Sequence, residues 1–237
     1  MPDGQGAFYL GFEKEPANHD LFLCLSSNES KAPGGGGNEL NPNGFAAGYN
    51  YGTGTPSPTE TVFDPSAGGL EYLVEPFIDI ANPLALSEIP LVGDYRVILF
   101  DSNQTGSDQF LNIPTLELYT SATEPVTSIA DVQSGSLAYN LDGGGTDRTV
   151  VATGNTGTSR WNMALYIPDS NFVRAPGGDS ATYVHMYTQH LNDNDGFDHW
   201  GVDSGLDYDM VPEPSQSILL TLAGCLAVFL RRRPSRS

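Results

Sequence analysis

The chain has 237 residues, 29 of them acidic and ten basic, giving a formal net charge of −19 at pH 7. Four of the basic residues, Arg231, Arg232, Arg233 and Arg236, sit at the far end, so residues 1–212 hold six cations against 28 acids, a net charge near −22. Such a body is excluded from nucleic-acid binding, which needs Lys and Arg to displace counterions, and from attraction to anionic lipid.

Gly and Pro number 27 and 17 and punctuate short runs rich in aromatic and β-branched residues. That pattern predicts an all-β body, a β-sandwich or jelly-roll. Met1-Pro2-Asp3-Gly4 offers no basic leader segment, and no early apolar run follows it; an upstream signal peptide is expected. Residues 1–30 are expected to supply the first strands of the body, with residues 8–12 the first candidate. Cys24, in the run Leu21-Phe22-Leu23-Cys24-Leu25, reads as a small core residue. The second cysteine, Cys225, lies in the tail, so no disulfide framework exists.

Residues 31–68 contain Gly34-Gly35-Gly36-Gly37 and Gly52-Thr53-Gly54-Thr55-Pro56-Ser57-Pro58. Low in core formers, the span reads as a partly mobile loop or linker. Residues 69–202 read as the sandwich core, with strands expected at 69–74, 77–80, 95–100, 116–119, 149–152, 161–167, 182–188 and 200–202. No apolar period of 3.6 residues persists over three turns before the tail. Residues 203–210 read as an acidic spacer.

Several of these strands carry a recognisable order of short motifs: Leu116-Glu117-Leu118-Tyr119, Asp147-Arg148-Thr149 and Tyr166-Ile167-Pro168. Then come Tyr183, Val184 and Tyr187, and Asn194-Asp195-Gly196-Phe197-Asp198 with Trp200-Gly201-Val202. From Leu99 to Val202 the chain is similar to an uncharacterised β-rich domain common in PEP-CTERM proteins. The resemblance implies a fold class and no reaction.

The densest oxygen-rich segment is Asn192-Asp193-Asn194-Asp195-Gly196-Phe197-Asp198. With Gly196 at the sixth place of an EF-hand loop, Leu191 and Val202 fall at the first and twelfth, where side-chain oxygens are required. The segment is therefore not an EF-hand. Two readings stay open: a Ca²⁺ site of another geometry on Asp193, Asp195 and Asp198, or a polar turn whose Asp side chains cap backbone donors. Strand alternation puts Tyr183, His185 and Tyr187 on one face, either an aromatic ligand face of the sugar-binding kind or an ordinary half-exposed sheet face.

No nucleophile elbow, His-Glu-x-x-His, Cys-x-x-Cys or Gly-Lys pair occurs. The carboxylates form no local glycosidase signature. No catalytic residue is assigned, and the body is expected not to be an enzyme.

The tail begins Val211-Pro212-Glu213-Pro214. It continues through the uncharged run Ile218 to Leu230, whose sole polar side chain is Thr221, and closes on Arg231-Arg232-Arg233. As a helix this run would span about 20 Å, short of the roughly 30 Å hydrocarbon core. Pro212 and Pro214 stop helix growth upstream, and the arginines would stay cytoplasmic. Residues 211–237 closely resemble the PEP-CTERM sorting signal, which in bacteria is read by an exosortase. The resemblance implies export through the Sec translocon, transient inner-membrane anchoring and processing near Pro212-Glu213-Pro214. It further implies release or attachment at the cell surface or matrix, in association with extracellular polysaccharide. The alternative from another class is a secreted glycan-binding or glycan-active module.

Overall fold

In the computed structural model the described residues are 5–14, 20–25, 46–50, 61–64, 70–73, 78–82, 84–104, 110–124, 126–143, 149–153, 160–193, 198–206 and 208. The chain divides into two units, residues 1–205 and 206–237, and every element below belongs to the first. The apolar run at 218–230 and the sorting-signal residues Val211, Pro212, Glu213, Pro214, Arg231, Arg232 and Arg233 lie outside the described residues. Among the described residues, no helix is long and apolar enough to cross a membrane.

The described chain is mostly strand. In order these are β1 (Phe8–Lys14), β2 (Asp20–Leu25), β3 (Ala46–Tyr49), β4 (Thr61–Asp64), β5 (Leu70–Leu73), β6 (Ile78–Ala81) and β7 (Leu91–Val92). They continue with β8 (Tyr95–Asp101), β9 (Phe110–Ser121), β10 (Ser136–Asn140), β11 (Val150–Thr153), β12 (Trp161–Pro168), β13 (Tyr183–Leu191) and β14 (Asp198–Val202). A five-residue helix, α1 (Ile129–Gln133), stands between β9 and β10. Ser128 caps it by accepting the Asp131 N–H; at that length it leaves no 3.6-residue signature.

The strands form two antiparallel sheets and a separate β4–β5 hairpin. The larger sheet runs β1-β12-β8-β14-β2-β6, with β7 also pairing β8; the smaller runs β10-β9-β13-β3, with β11 also pairing β9. Alternation sets the faces. Ile98 and Phe100 on β8, Leu165 and Ile167 on β12, and Trp200 on β14 join Leu116 and Leu118 on β9 and Val184 and Met186 on β13 in one apolar cluster. That core draws on both sheets. Burying such side chains, at about 25 cal/mol per Å² of apolar surface, is the main force holding the fold.

One departure from the sequence reading stands out. β3 and β4 fall inside the span read as loop or linker, and all of β3 is buried. Ala46-Ala47-Gly48-Tyr49 lacks the β-branched residues that announce a strand, and pairing with β13 makes it one. β2 falls within residues 1–30, the span expected to supply the first strands, and lies between β14 and β6. Its Cys24 is fully buried, as expected of a small core residue.

Candidate functional site

Three polar clusters interrupt this apolar scaffold. The first lies where the chain passes from β13 of the smaller sheet to β14 of the larger. Asn192, with φ of 68°, turns the chain out of β13, a left-handed conformation that Asn tolerates better than most residues. β14 then starts at Asp198, two residues earlier than the alternating Trp200 suggests, so Asp198 belongs to the sheet.

The inner face of β13 carries Val184, Met186, Thr188 and His190 in alternation, and His190 reaches β14. The Trp200 indole N–H donates to His190 Nε2 at 3.3 Å. Nε2 is therefore an acceptor, and the proton of the neutral ring sits on Nδ1. Nδ1–H donates to Asp198 Oδ2 at 3.2 Å, and the Asn103 N–H donates to Oδ1 at 2.9 Å. His190 and Asp198 are both fully buried. Burial pushes His190 down to about 4 and Asp198 up to about 7, because a low-dielectric interior disfavours either charge. Phe100 closes the cluster, its ring 4.4 Å from Trp200 and 5.5 Å from His190.

Trp200→Phe keeps this stacking and removes the one donor to His190 Nε2. We expect it to cost about 1–3 kcal/mol, the penalty of an unmet buried polar atom, seen as a lower urea midpoint with an unchanged slope. A midpoint equal to that of the parent would show that the indole N–H contributes nothing.

Of the three expected Ca²⁺ ligands, Asp193 and Asp198 are buried at opposite ends of the turn; Asp195 lies outside the described residues. Among the described residues, no three His, Cys, Asp or Glu side chains converge as metal ligands.

The second cluster is the face with Tyr183, His185 and Tyr187. Register sets these opposite Ser121, Tyr119 and Glu117 of β9, so they do share one side of the sheet. The face is covered at two of the three. His185 is 1% exposed and Tyr187 6%, while Tyr183 is half-buried. His185 Nε2 lies 3.0 Å from both Ser121 Oγ and the Thr123 carbonyl. Burial lowers its pKa, against the opposing pull of that carbonyl. Tyr187 OH accepts from Gln189 at 2.6 Å, and Gln133 of α1 reaches over to Glu117 at 3.2 Å. Tyr119 donates to the same carboxylate at 3.1 Å; burial, then the Glu117 charge, pushes the phenol up to about 12. The segment around α1 thus roofs these side chains, and His185 is a neutral packing residue bonded to its own roof.

The third cluster was not anticipated. Arg96 stands in β8 directly before the apolar run Val97-Ile98-Leu99-Phe100 and is 5% exposed. It donates Nε to Asp169 at 2.7 Å and Nη1 to the Leu86 and Ile89 carbonyls at 3.0 and 2.8 Å, and it pairs through Nη2 with Asp179. Arg174 grips the same two aspartates, at 2.7 Å on Asp169 and 2.8 Å on Asp179. Burial alone would raise Asp169, but the Arg96 and Arg174 guanidiniums outweigh it and hold the carboxyl below its usual range. This network ties β8 to the segments at 84–90 and 169–182. The sequence signal for it is an arginine directly before an apolar run, in a body with six cations.

Chemically, the first cluster orders a carboxylate, an imidazole and an indole, but it brings no hydroxyl or thiol against His190 among the described residues. In the second, His185 Nε2, Tyr187, Tyr119 and Glu117 have internal partners; in the third, both guanidiniums are held by the two aspartates and by backbone carbonyls. Searches against protein-family models, curated proteins and solved structures find no match to this chain.

Proposed function

We propose that the chain is an exported cell-surface or extracellular-matrix protein, sorted through its PEP-CTERM-like tail and without catalysis of its own. The single observation that carries this reading is the joint order Pro212-Glu213-Pro214, the uncharged run Ile218 to Leu230 and Arg231-Arg232-Arg233. A run too short for a comfortable span favours a temporary anchor. The strongly acidic body suits a soluble exported domain. We further infer that the two antiparallel sheets stack as a β-sandwich, since residues from both enter one apolar cluster.

On this reading the Sec translocon exports the body. The tail pauses in the inner membrane, and an exosortase acts near Pro212-Glu213-Pro214. The body is then freed or attached outside, among extracellular polysaccharide. Arg231→Glu, Arg232→Glu and Arg233→Glu together should remove the cytoplasmic hold and leave unprocessed chain. Pro212→Ala with Glu213→Ala should keep the anchor and block recognition, so that full-length protein accumulates in the membrane fraction. Processing of both variants at the parental rate would defeat the proposal. The second reading, a glycan-binding module, rests on Tyr183, the one half-buried member of its face; a glycan array with the full chain tests it.

A further inference from the structure

The segment 122–134, which includes α1, roofs one face of β13 on a narrow footing. Of its described residues only Val126 and Val132 are buried. Segments with few buried contacts open at the least cost in free energy. Its polar ties to the sheet include Gln133 to Glu117, at 3.2 Å, and the Thr123 carbonyl to His185 Nε2, at 3.0 Å.

The second tie is built around a missing proton. The Ser121 hydroxyl donates to the Thr123 carbonyl at 2.7 Å and accepts the Thr123 N–H at 3.1 Å, so it has no proton left for the ring. Nε2 therefore carries the proton of the neutral imidazole, and Nδ1 is bare. Nδ1 is buried and has no aligned hydrogen-bond partner among the described residues, yet the Asn50 backbone acts on the ring as a second acceptor. Asn50 is itself fixed. It is fully buried, its amide donates to the Val184 carbonyl at 3.0 Å, and its amide oxygen accepts from the Met186 N–H at 2.7 Å. A neutral imidazole has one N–H for these two carbonyls. The other tautomer would only move the bare nitrogen to face Thr123.

A second proton on the ring would meet both acceptors, but it would place a cation in a site 1% exposed. The titratable groups around it are Tyr183 and Tyr187 on β13, Glu117 and Tyr119 on β9, Tyr49 on β3, and Glu124 and Asp131 in the roof. None of them is among the influences on the ring, of which burial is the largest. Asp131 is engaged by Thr127 and Ser128, whose bonds hold its carboxyl below the usual range.

We propose that His185 is an acid-operated pin: a second proton on its ring releases the segment 122–134 and opens the face of Tyr183, His185 and Tyr187 to water. While the roof is closed, burial holds the ring below the ordinary histidine value; once wet, the ring regains it. The open state thus binds the proton more tightly. The closed roof is at full strength above about pH 6.5 and weakens as the pH falls below that, until the ring is charged in place. On the glycan-binding reading this would uncover the aromatic face in acid, but the release does not depend on that reading.

The test is amide hydrogen exchange of the full chain between pH 7.5 and 5, corrected for the intrinsic pH dependence of exchange. The reporters are the α1 amides of Val132 and Ser134, bonded to the Ser128 and Ala130 carbonyls. Amides of the β8–β12 pair are the reference. Protection of the reporters relative to the reference should fall about three- to tenfold in acid. His185→Gln keeps a neutral donor for Thr123 and cannot take the second proton, so its ratio should stay constant. A constant ratio in the parent, or an equal fall in both proteins, would overturn the proposal. Titration of the ¹⁵N-labelled histidines in the parent keeps the test open should His185→Gln fold poorly. His185 should start with Nε2 protonated and gain its Nδ1 proton below pH 6.5, in step with the loss of protection. A ring that stays neutral while the reporters lose protection, or charges while they keep it, would equally overturn the proposal. Neither tail processing nor glycan binding enters these readouts, so failure here leaves both earlier readings standing.

Discussion

Arg96→Met should lower the stability of the body by about 3 kcal/mol, because removing one partner of a buried ion pair leaves the others uncompensated. The guanidinium is 6% exposed and serves Asp169, Asp179 and two carbonyls at once. Methionine fills the volume and satisfies none of them. The aspartates stay about a third exposed or less and keep Arg174, which holds the cost near the lower end of the buried-pair range. In a body of this size, the melting midpoint should fall by about 6–12 °C. Arg174→Met removes a guanidinium that is 34% exposed and should cost only about 1 kcal/mol. Arg96→Lys should behave like Arg96→Met, since an ammonium cannot reproduce the planar fork. Equal effects of Arg96→Met and Arg174→Met, measured by urea unfolding, would contradict the assignment of Arg96 as the network's centre.

Gly201→Val should be at least as damaging. Gly201 pairs with Leu99 of β8 on one side and Leu21 of β2 on the other, in the interior of the larger sheet. A Cβ there would stand 2.5 Å from the Trp161 ring terminus, 2.8 Å from the Asp20 carbonyl oxygen and 3.3 Å from Leu21 Cδ2. The carbonyl is backbone held in a ladder and cannot yield. The indole is fully buried, and its N–H donates to Asp203 at 3.3 Å. Both obstacles are therefore fixed. Overpacking costs about 1–3 kcal/mol for added methylenes, so Gly201→Ala is expected near the top of that range and Gly201→Val beyond it. Circular dichroism melts of the two variants give the comparison. A Gly201→Val melt within about 2 °C of the parent would refute the close approach of Trp161 to β14.

The class of the fold was readable because strand signals are local. Tyr95 to Phe100 and Trp161 to Ile167 are dense in β-branched and aromatic residues, and the structure places them as neighbouring strands β8 and β12. Where the local signal was weak, the strand was missed. Ser136–Asn140 has one large aliphatic residue, Leu137, and is held by β9. In β9, Pro114 disguises a 12-residue strand; along one edge β11 pairs the residues before it and β10 those after it, while β13 pairs on both sides of it with a register shift between.

The polar clusters were less legible, since their partners meet through register. The face of β13 with Tyr183, His185 and Tyr187 can be named from alternation alone. That α1 and the loop after β9 roof it cannot, because nothing in Ile129-Ala130-Asp131 says where that turn docks. The opposite face, ending in His190, was readable by the same alternation. Its bond to Asp198 depends on β13 and β14 lying in different sheets. Arg96 is 73 residues from Asp169 and 83 from Asp179 in sequence, so only the anomaly of a buried charge beside an apolar run could have pointed to them.

The central claim concerns the tail, and mass spectrometry of the producing organism's extracellular and membrane fractions tests it most directly. The account predicts extracellular protein whose last peptide ends near Pro212-Glu213-Pro214, with the segment Ile218 to Ser237 confined to the membrane fraction. Recovery of extracellular protein that still carries Ile218 to Ser237 would contradict it.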